Sequence, residues 1–501
     1  MFIAQKLKLA ALEQPEKVIT SFNGREVSYG EFYRKAENLA RYFQDLGYEK
    51  EDRLALYLLN SDSFLICYYA CQIGGFTVLP INAKLTASET EYILTHSEAK
   101  GLIYDERFTA VIHALEGKLP ALKDQIMIGQ MPGAFEAIID GEPREAENRE
   151  AFDEDTAVIF YTSGTTGRPK GVMLTNKNVA ATAQIWSESM EMDANDRMHI
   201  VAPLFHCAAS HVFSIPVIFQ GGMVIIEEAF SPAKTIQTME QERATIFFGV
   251  PAMYSILLNT PALEQADLSN LRLFCYGAAP MPFELIKKVK SLYPDVLVQN
   301  LYGQTENSPA ATTLKDHYAL DKVGSVGEPL PQTTVQVVDE FGKPVPDGQV
   351  GEIVIKGPQV MKGYLKNEEE TARTLKDGWM YSGDLGRFED GLLYIVDRKK
   401  DMIIRGGENV YPVEVEEVLY AIPEVLEAAV VGIPHEVYGE VPKAFVVLKE
   451  GATMTEQQVI DFCKERLAPF KLPASTEFLD VLPRNASGKV LKIVLREPVQ
   501  I

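Results

Sequence analysis

Short apolar runs of strand length alternate with capped helical segments through the first three hundred residues, and that alternation restricts the chain to α/β architecture. Ser28-Tyr-Gly-Glu31 is a capping-box pattern. Behind it Phe32, Ala36, Leu39, Ala40 and Phe43 repeat at helical spacing as far as Gly47. Residues 53–59 then read as a strand, and Thr86-Ala-Ser-Glu89 opens another helix. Buried-strand candidates recur at 198–201, 223–226, 245–248, 271–275 and 296–298. The apolar stretch 64–80 approaches the length of a membrane span, but Gly74-Gly75 divides it into a short helix and a short strand, and Pro80-Ile-Asn82 ends it.

At 501 residues the chain exceeds one ordinary core. Near Pro331 the pattern changes: 333–338, the turn Asp339-Glu-Phe-Gly342 and 349–355 suggest a compact β-rich subdomain. After Asp397 it changes again, with helix candidates at 412–419 and 456–467 and strand candidates at 427–431 and 444–448. The expected organisation is a large amino-terminal α/β domain over 1–397, β-rich over about 331–397, and a small α+β domain over 398–501. The charged boundary Asp397-Arg-Lys-Lys-Asp401 suits a hinge near 400, and 132–155 reads as an acidic connection.

A net charge of −22 disfavours nucleic acid as a partner. Cys67, Cys71, Cys207, Cys275 and Cys463 form no CxxC pair or dense framework, and the amino end has no signal-peptide core, so reduced thiols in a cytoplasmic protein are expected. Peripheral membrane contact and oligomeric state stay open.

The strongest chemical signal is Tyr161-Thr-Ser-Gly-Thr-Thr-Gly-Arg-Pro-Lys-Gly171, which follows an apolar strand candidate. Its glycines allow close backbone approach to an anion, its hydroxyls are donors, and Arg168 and Lys170 add charge. The glycine spacing is wrong for a Walker loop, and Lys170 is followed by Gly171 rather than Ser or Thr.

The loop resembles the signature of the adenylate-forming (ANL) superfamily. Further motifs follow in the order of its acyl-CoA synthetases: Pro203-Leu-Phe-His206, Tyr276-Gly-Ala-Ala-Pro280, Tyr302-Gly-Gln-Thr-Glu306, Tyr381-Ser-Gly-Asp384, Asp397-Arg-Lys-Lys-Asp401, Gly406-Gly-Glu-Asn-Val-Tyr-Pro412 and Pro483-Arg-Asn-Ala-Ser-Gly-Lys489. The resemblance spans most of the chain. It implies the ANL fold with a mobile carboxy-terminal domain, and an AMP-forming ligase that uses ATP, Mg²⁺ and coenzyme A.

Residue roles follow from the same resemblance. Thr162, Ser163, Gly164, Thr165, Thr166, Gly167 and Lys170 would hold ATP phosphates. Gly277, Ala278 and Ala279 would line the adenine site, with Asn300 on the exocyclic amine and Tyr302 on the ring face. Asp384 and Arg398 would take the ribose hydroxyls. Thr305 would donate to the α-phosphate and Glu306 would ligate Mg²⁺, since carboxylate attack on a phosphate brings two anions together and needs a cation between them. Lys489 would stabilise the adenylation transition state. Gly406 and Gly407 would form the CoA channel, exchanged with Lys489 by rotation about Lys400. His206, Val250 and Gly303 would border the acyl pocket.

His199, His206 and His211 have no nearby Cys or carboxylate at a recognised ligand spacing, so His206 is read as a pocket or gating residue rather than a zinc ligand. The segments 205–212, 247–254 and 307–311 are largely apolar or small and contain no arginine, which favours a medium- or long-chain fatty acid over a malonate-like one. An aryl-acid ligase, an acyl-AMP ligase loading a carrier protein, a luciferase-like oxygenase and a noncatalytic binding protein are the alternatives.

Overall fold

The computed structural model describes residues 1–162, 168–279, 281–484 and 490–496. Packing divides the chain into two compact units, Met1–Val335 with Ile355–Tyr381 and Gln336–Val354 with Ser382–Ile501. The sequence-based boundary at 397 placed 382–397 with the amino-terminal part. The structure pairs the strands Trp379–Glu389 and Leu392–Arg398 antiparallel, Asp384 facing Arg398, and most of this hairpin groups with the carboxy-terminal residues.

The first unit holds a seven-stranded sheet in the order Gly363–Tyr364, Lys170–Thr175, Thr156–Thr162, Thr77–Pro80, Arg53–Tyr57, Gly101–Asp105, Asp124–Ile128. From Thr156–Thr162 onward the strands are parallel, each fed by a helix, while the first two are antiparallel additions. A second sheet has a parallel centre of Leu297–Tyr302, Leu273–Gly277, Ile246–Gly249, Arg197–Ile200, Met223–Ile226 and Val18–Phe22. These strands are apolar on both faces, as expected of parallel strands covered by helices.

Helix starts follow the chemistry of their caps. Ser28 accepts from Glu31 N at the head of Tyr29–Asp45, and Thr86 and Glu89 cap Ala87–Ser97 reciprocally. The apolar stretch 64–80 splits into helix Asp62–Gly74 and strand Thr77–Pro80, because Gly75 takes a left-handed conformation at φ 75° and closes the helix. Among the described residues no helix is long and apolar enough to cross a membrane. The acidic stretch 132–155 is more than a connection. It contains helix Ala134–Ile139, started by a Gly133 N to Glu136 Oε2 hydrogen bond of 2.7 Å and anchored by the fully buried Phe135.

In the second unit a five-stranded sheet runs Glu408–Val410, Ile403–Arg405, Gly439–Leu448, Val425–His435, with Ser475–Phe478 beside Gly439–Leu448. Helices Pro412–Tyr420 and Glu456–Lys464 bury Val415, Leu419, Val459 and Cys463 against it.

Candidate active site

Four neighbouring parallel strands of the first unit deliver site residues from their carboxyl ends, where α/β sheets bind ligands. Beyond Ile200 comes His206. Val250 follows Gly249, Ala278 and Ala279 follow Gly277, and Gly303 to Glu306 follow Tyr302. Cα pairing sets Tyr276 beside Asn300 and Gly277 beside Leu301, which brings the residues expected around adenine onto adjacent strand ends. A Cβ on Gly277 would lie 2.6 Å from Leu301 O, so the close approach of these strands requires glycine there. Ala278 takes φ 67°, and it and Ala279 are exposed. Asn300 is buried and donates through Nδ2 to Ser325 O at 3.3 Å, which turns its oxygen into the accepting end that an amino group requires. Tyr302 is buried at its strand end.

The loop after Tyr302 is fixed by backbone geometry. A Cβ on Gly303 would meet the Pro309 carbonyl carbon at 2.3 Å, Asn307 Oδ1 accepts from Gln304 N at 2.7 Å, and Ser308 takes a left-handed φ of 53°. The resulting tight turn sets Thr305 Oγ1 3.2 Å from Cys207 Sγ. Glu306 Oε1 accepts from Tyr364 O–H at 2.9 Å, and burial raises the Tyr364 phenol far above its ordinary pKa, so it remains a donor. The same ring lies 4.9 Å from the Lys170 ammonium, whose Nζ meets Glu370 Oε1 at 2.5 Å. Glu306 and Lys170, 136 positions apart by number, are thus joined through one tyrosine.

Thr162 faces Lys170 across the hairpin that carries the phosphate-loop motif. Ser163, Gly164, Thr165, Thr166 and Gly167 lie outside the described residues, as does Lys489.

The three histidines do not converge. His206 is exposed and accepts from Ala208 N through Nδ1 at 3.3 Å, while buried His199 meets Glu227 Oε1 at 2.9 Å. His211 lies in the π-helical segment Ala208–Ser214, its Nε2 2.7 Å from Tyr68 O–H and its Nδ1 2.8 Å from Ser308 Oγ. Burial pushes its pKa down to about 3, so the ring is neutral and ties helix Asp62–Gly74 to the loop behind Glu306.

Among the described residues no cluster of three or more His, Cys, Asp or Glu could cage a metal. One carboxylate suits Mg²⁺ nevertheless, because that ion keeps several waters and is held largely by substrate phosphates.

In the second unit Asp384 and Arg398 face each other across their hairpin, with Arg398 Nε 3.2 Å from Asp384 Oδ1. Lys400 lies in the turn that follows, where Asp401 N and Met402 N both return to Arg398 O. Beside it the Asp397 carboxylate accepts from Arg398 N at 2.6 Å and Val413 N at 3.0 Å, yet burial dominates and raises its pKa to about 6. Gly406 and Gly407 take φ 61° and 91° at the tip of the hairpin Ile403–Arg405/Glu408–Val410, a two-residue turn with positive φ at both central positions.

Nothing in the sequence motifs points to Tyr364, Glu370 or Tyr68, or to the hydrogen bonds that His211 makes with Tyr68 and Ser308. Their contacts join segments far apart in the chain, so no local spacing marks them.

Two family models match: AMP-binding enzyme over residues 7–365 and AMP-binding enzyme C-terminal domain over 414–489. A feruloyl-CoA synthase from Amycolatopsis sp. is 38% identical over 483 residues, 95% of each chain. A long-chain-fatty-acid–CoA ligase from Bacillus subtilis is 35% identical, covering 97% of this chain and 93% of its own. The solved O-succinylbenzoate coenzyme A synthetase from Bacillus subtilis, in complex with ATP and magnesium ion, superposes with a TM-score of 0.87 at 30% identity, covering 98% of this chain and 99% of its own. Strand-end loops that carry the superfamily's motifs, together with full-length likeness to named CoA ligases, place the chain in the AMP-binding enzyme family of adenylate-forming proteins, as an AMP-forming acid–thiol ligase that uses ATP and CoA.

Proposed function

We propose that the acid is a monocarboxylic acid with an apolar tail, of the medium- or long-chain fatty-acid class. One observation carries this reading: the segments 205–212, 247–254 and 307–311 contain no lysine or arginine, and their only buried histidine, His211, is neutral and engaged at both ring nitrogens. A second carboxylate brought there would lose its hydration without a cation to replace it. Each buried methylene contributes about 0.8 kcal/mol, so specificity rises with tail length until the pocket is full. The substrates named for the relatives favour a second reading, an aryl acid, because a feruloyl-CoA synthase is as similar as a long-chain ligase.

In the proposed sequence the acid's carboxylate attacks the α-phosphorus of ATP and pyrophosphate leaves. Thr305 donates to the α-phosphate, and Glu306 would hold Mg²⁺, which when bound screens the meeting anions. Lys170 and the residues 162–167 hold the outer phosphates, Gly277 to Ala279, Asn300 and Tyr302 hold adenine, and Asp384 and Arg398 the ribose. Lys489 serves this step. The CoA thiol then attacks the acyl carbon and AMP leaves, with the Gly406–Gly407 turn serving as the channel and Lys400 as the hinge between the two arrangements. His206, Val250 and Gly303 border the acyl site. A cytoplasmic location belongs to the same proposal, supported by five free, buried cysteines.

Pyrophosphate release over a panel of fatty, aryl and dicarboxylic acids, with and without CoA, tests the substrate. A preference for succinate or malonate over medium and long fatty acids would overturn the apolar-tail reading, and a preference for hydroxycinnamates would select the aryl one. Lys489→Ala should slow acyl-AMP formation and spare thioester formation from supplied acyl-AMP.

A further inference from the structure

Lys170 already has an anionic partner inside the protein. Its Nζ is 2.5 Å from Glu370 Oε1, and both side chains are largely shielded, 13% and 25% exposed. The arrangement is built by the backbone. Gly363–Tyr364 pairs with Val172–Met173, and Leu365 N donates to Gly171 O at 2.8 Å, which lays this segment along the strand that Lys170 begins. Asn367 then caps helix Glu368–Thr374 by accepting from Glu370 N at 3.1 Å, and Thr371 Oγ1 accepts from Tyr364 N at 2.9 Å. These bonds point the first helical turn at Lys170. Arg373 Nη1 stands 3.8 Å from the other Glu370 oxygen, and the Tyr364 ring flanks the Lys170 ammonium.

A carboxylate held against a lysine by charge-assisted hydrogen bonding competes with any phosphate for the same ammonium. We propose that Glu370 is a placeholder for the outer phosphates of ATP: it holds Lys170 while the nucleotide is absent and is displaced when ATP binds, so it sets the enzyme's affinity for ATP. This rests on the reading that Lys170 holds ATP phosphates. Glu370 acts through Lys170 and is a positioning residue. If the pair is formed nine-tenths of the time, the apparent dissociation constant of ATP is raised about tenfold, because only the unpaired fraction is competent to bind. AMP, which lacks the outer phosphates, does not need Lys170 released.

The test is a double-mutant cycle on the full chain with Glu370→Gln, Lys170→Ala and the combination, reading the dissociation constants of a nonhydrolysable ATP analogue and of AMP, with thermal unfolding alongside. Glu370→Ala serves as a second variant should the amide fold poorly. Glu370→Gln is expected to tighten the ATP analogue threefold to tenfold, to leave AMP unchanged, and to have no effect once Lys170 is alanine. Weaker or unchanged ATP binding in a folded Glu370→Gln, with Lys170→Ala still weakening it, would overturn the placeholder and leave the Lys170 reading intact. Equal tightening of ATP and AMP would overturn it as well. If Lys170→Ala leaves ATP affinity unchanged, the reading of Lys170 itself is wrong.

Discussion

Tyr364 donates its phenolic proton to Glu306 Oε1 at 2.9 Å, which fixes the carboxylate that would meet Mg²⁺ before the ion arrives. Tyr364→Phe keeps the ring beside Lys170 and removes only this donor. A lost hydrogen bond to a charged group is worth about 1.5–3 kcal/mol. The Mg²⁺ concentration for half-maximal adenylation should therefore rise roughly tenfold or more, and a magnesium titration of pyrophosphate release that matches the wild type would contradict the orienting role.

Glu306→Gln removes charge at nearly constant volume. Adenylation should fall by about 10²–10³, the usual loss for one preorganised electrostatic contact, while the unfolding temperature stays close to wild type. Single-turnover acyl-AMP formation at limiting Mg²⁺ measures the first, and calorimetry the second.

His211→Leu leaves Tyr68 O–H and Ser308 Oγ without the partner that joins them, in a buried setting. Roughly 2–4 kcal/mol of stability should be lost at neutral pH. The loss should shrink on acidification. The native ring stays neutral down to about pH 3, whereas the unfolded imidazole takes up its proton near pH 6.5, so the wild type alone loses stability from this group as pH falls below that point. Urea unfolding of both proteins at pH 5 and pH 7 measures the difference, and a pH-independent gap would refute the neutral assignment.

Asp397 gives the opposite slope. Its native pKa of about 6 lies above the ordinary 3.8, so between these values the folded state binds more proton than the unfolded one and its stabilisation is lost as pH rises through 6. Asp397→Asn should be less stable relative to wild type at pH 4 than at pH 7, by up to about 3 kcal/mol. Denaturant midpoints at the two pH values decide it.

Periodicity and caps carried much of the fold. Ser28 and Thr86 mark helix starts because the capping bond is local, and each is found capping its helix. Helix Ala134–Ile139 escaped because only Phe135 and Ile139 are buried and acidic residues surround it, so the apolar period is too short to register. In the site, glycines at 277 and 303 were legible as types, but the reasons for them are the approaching backbones of Leu301 and Pro309. Glu370 gave no signal, since it meets a lysine 200 positions away and its own neighbourhood reads as a solvated acidic helix start.

Thr305, the proposed α-phosphate donor, has a thiol for a neighbour. An acyl-adenylate is a strong acylating agent, and a thiolate so near the reaction would capture the acyl group and kill the enzyme by self-modification. Burial pushes the Cys207 thiol up to about 12. At pH 7 only about one molecule in 10⁵ carries it as thiolate. With Thr305 in its proposed role, the protein would generate its electrophile next to a sulfur of its own and still pass the acyl group to the sulfur of a cosubstrate. In that sense desolvation at one side chain protects the catalyst from its own intermediate.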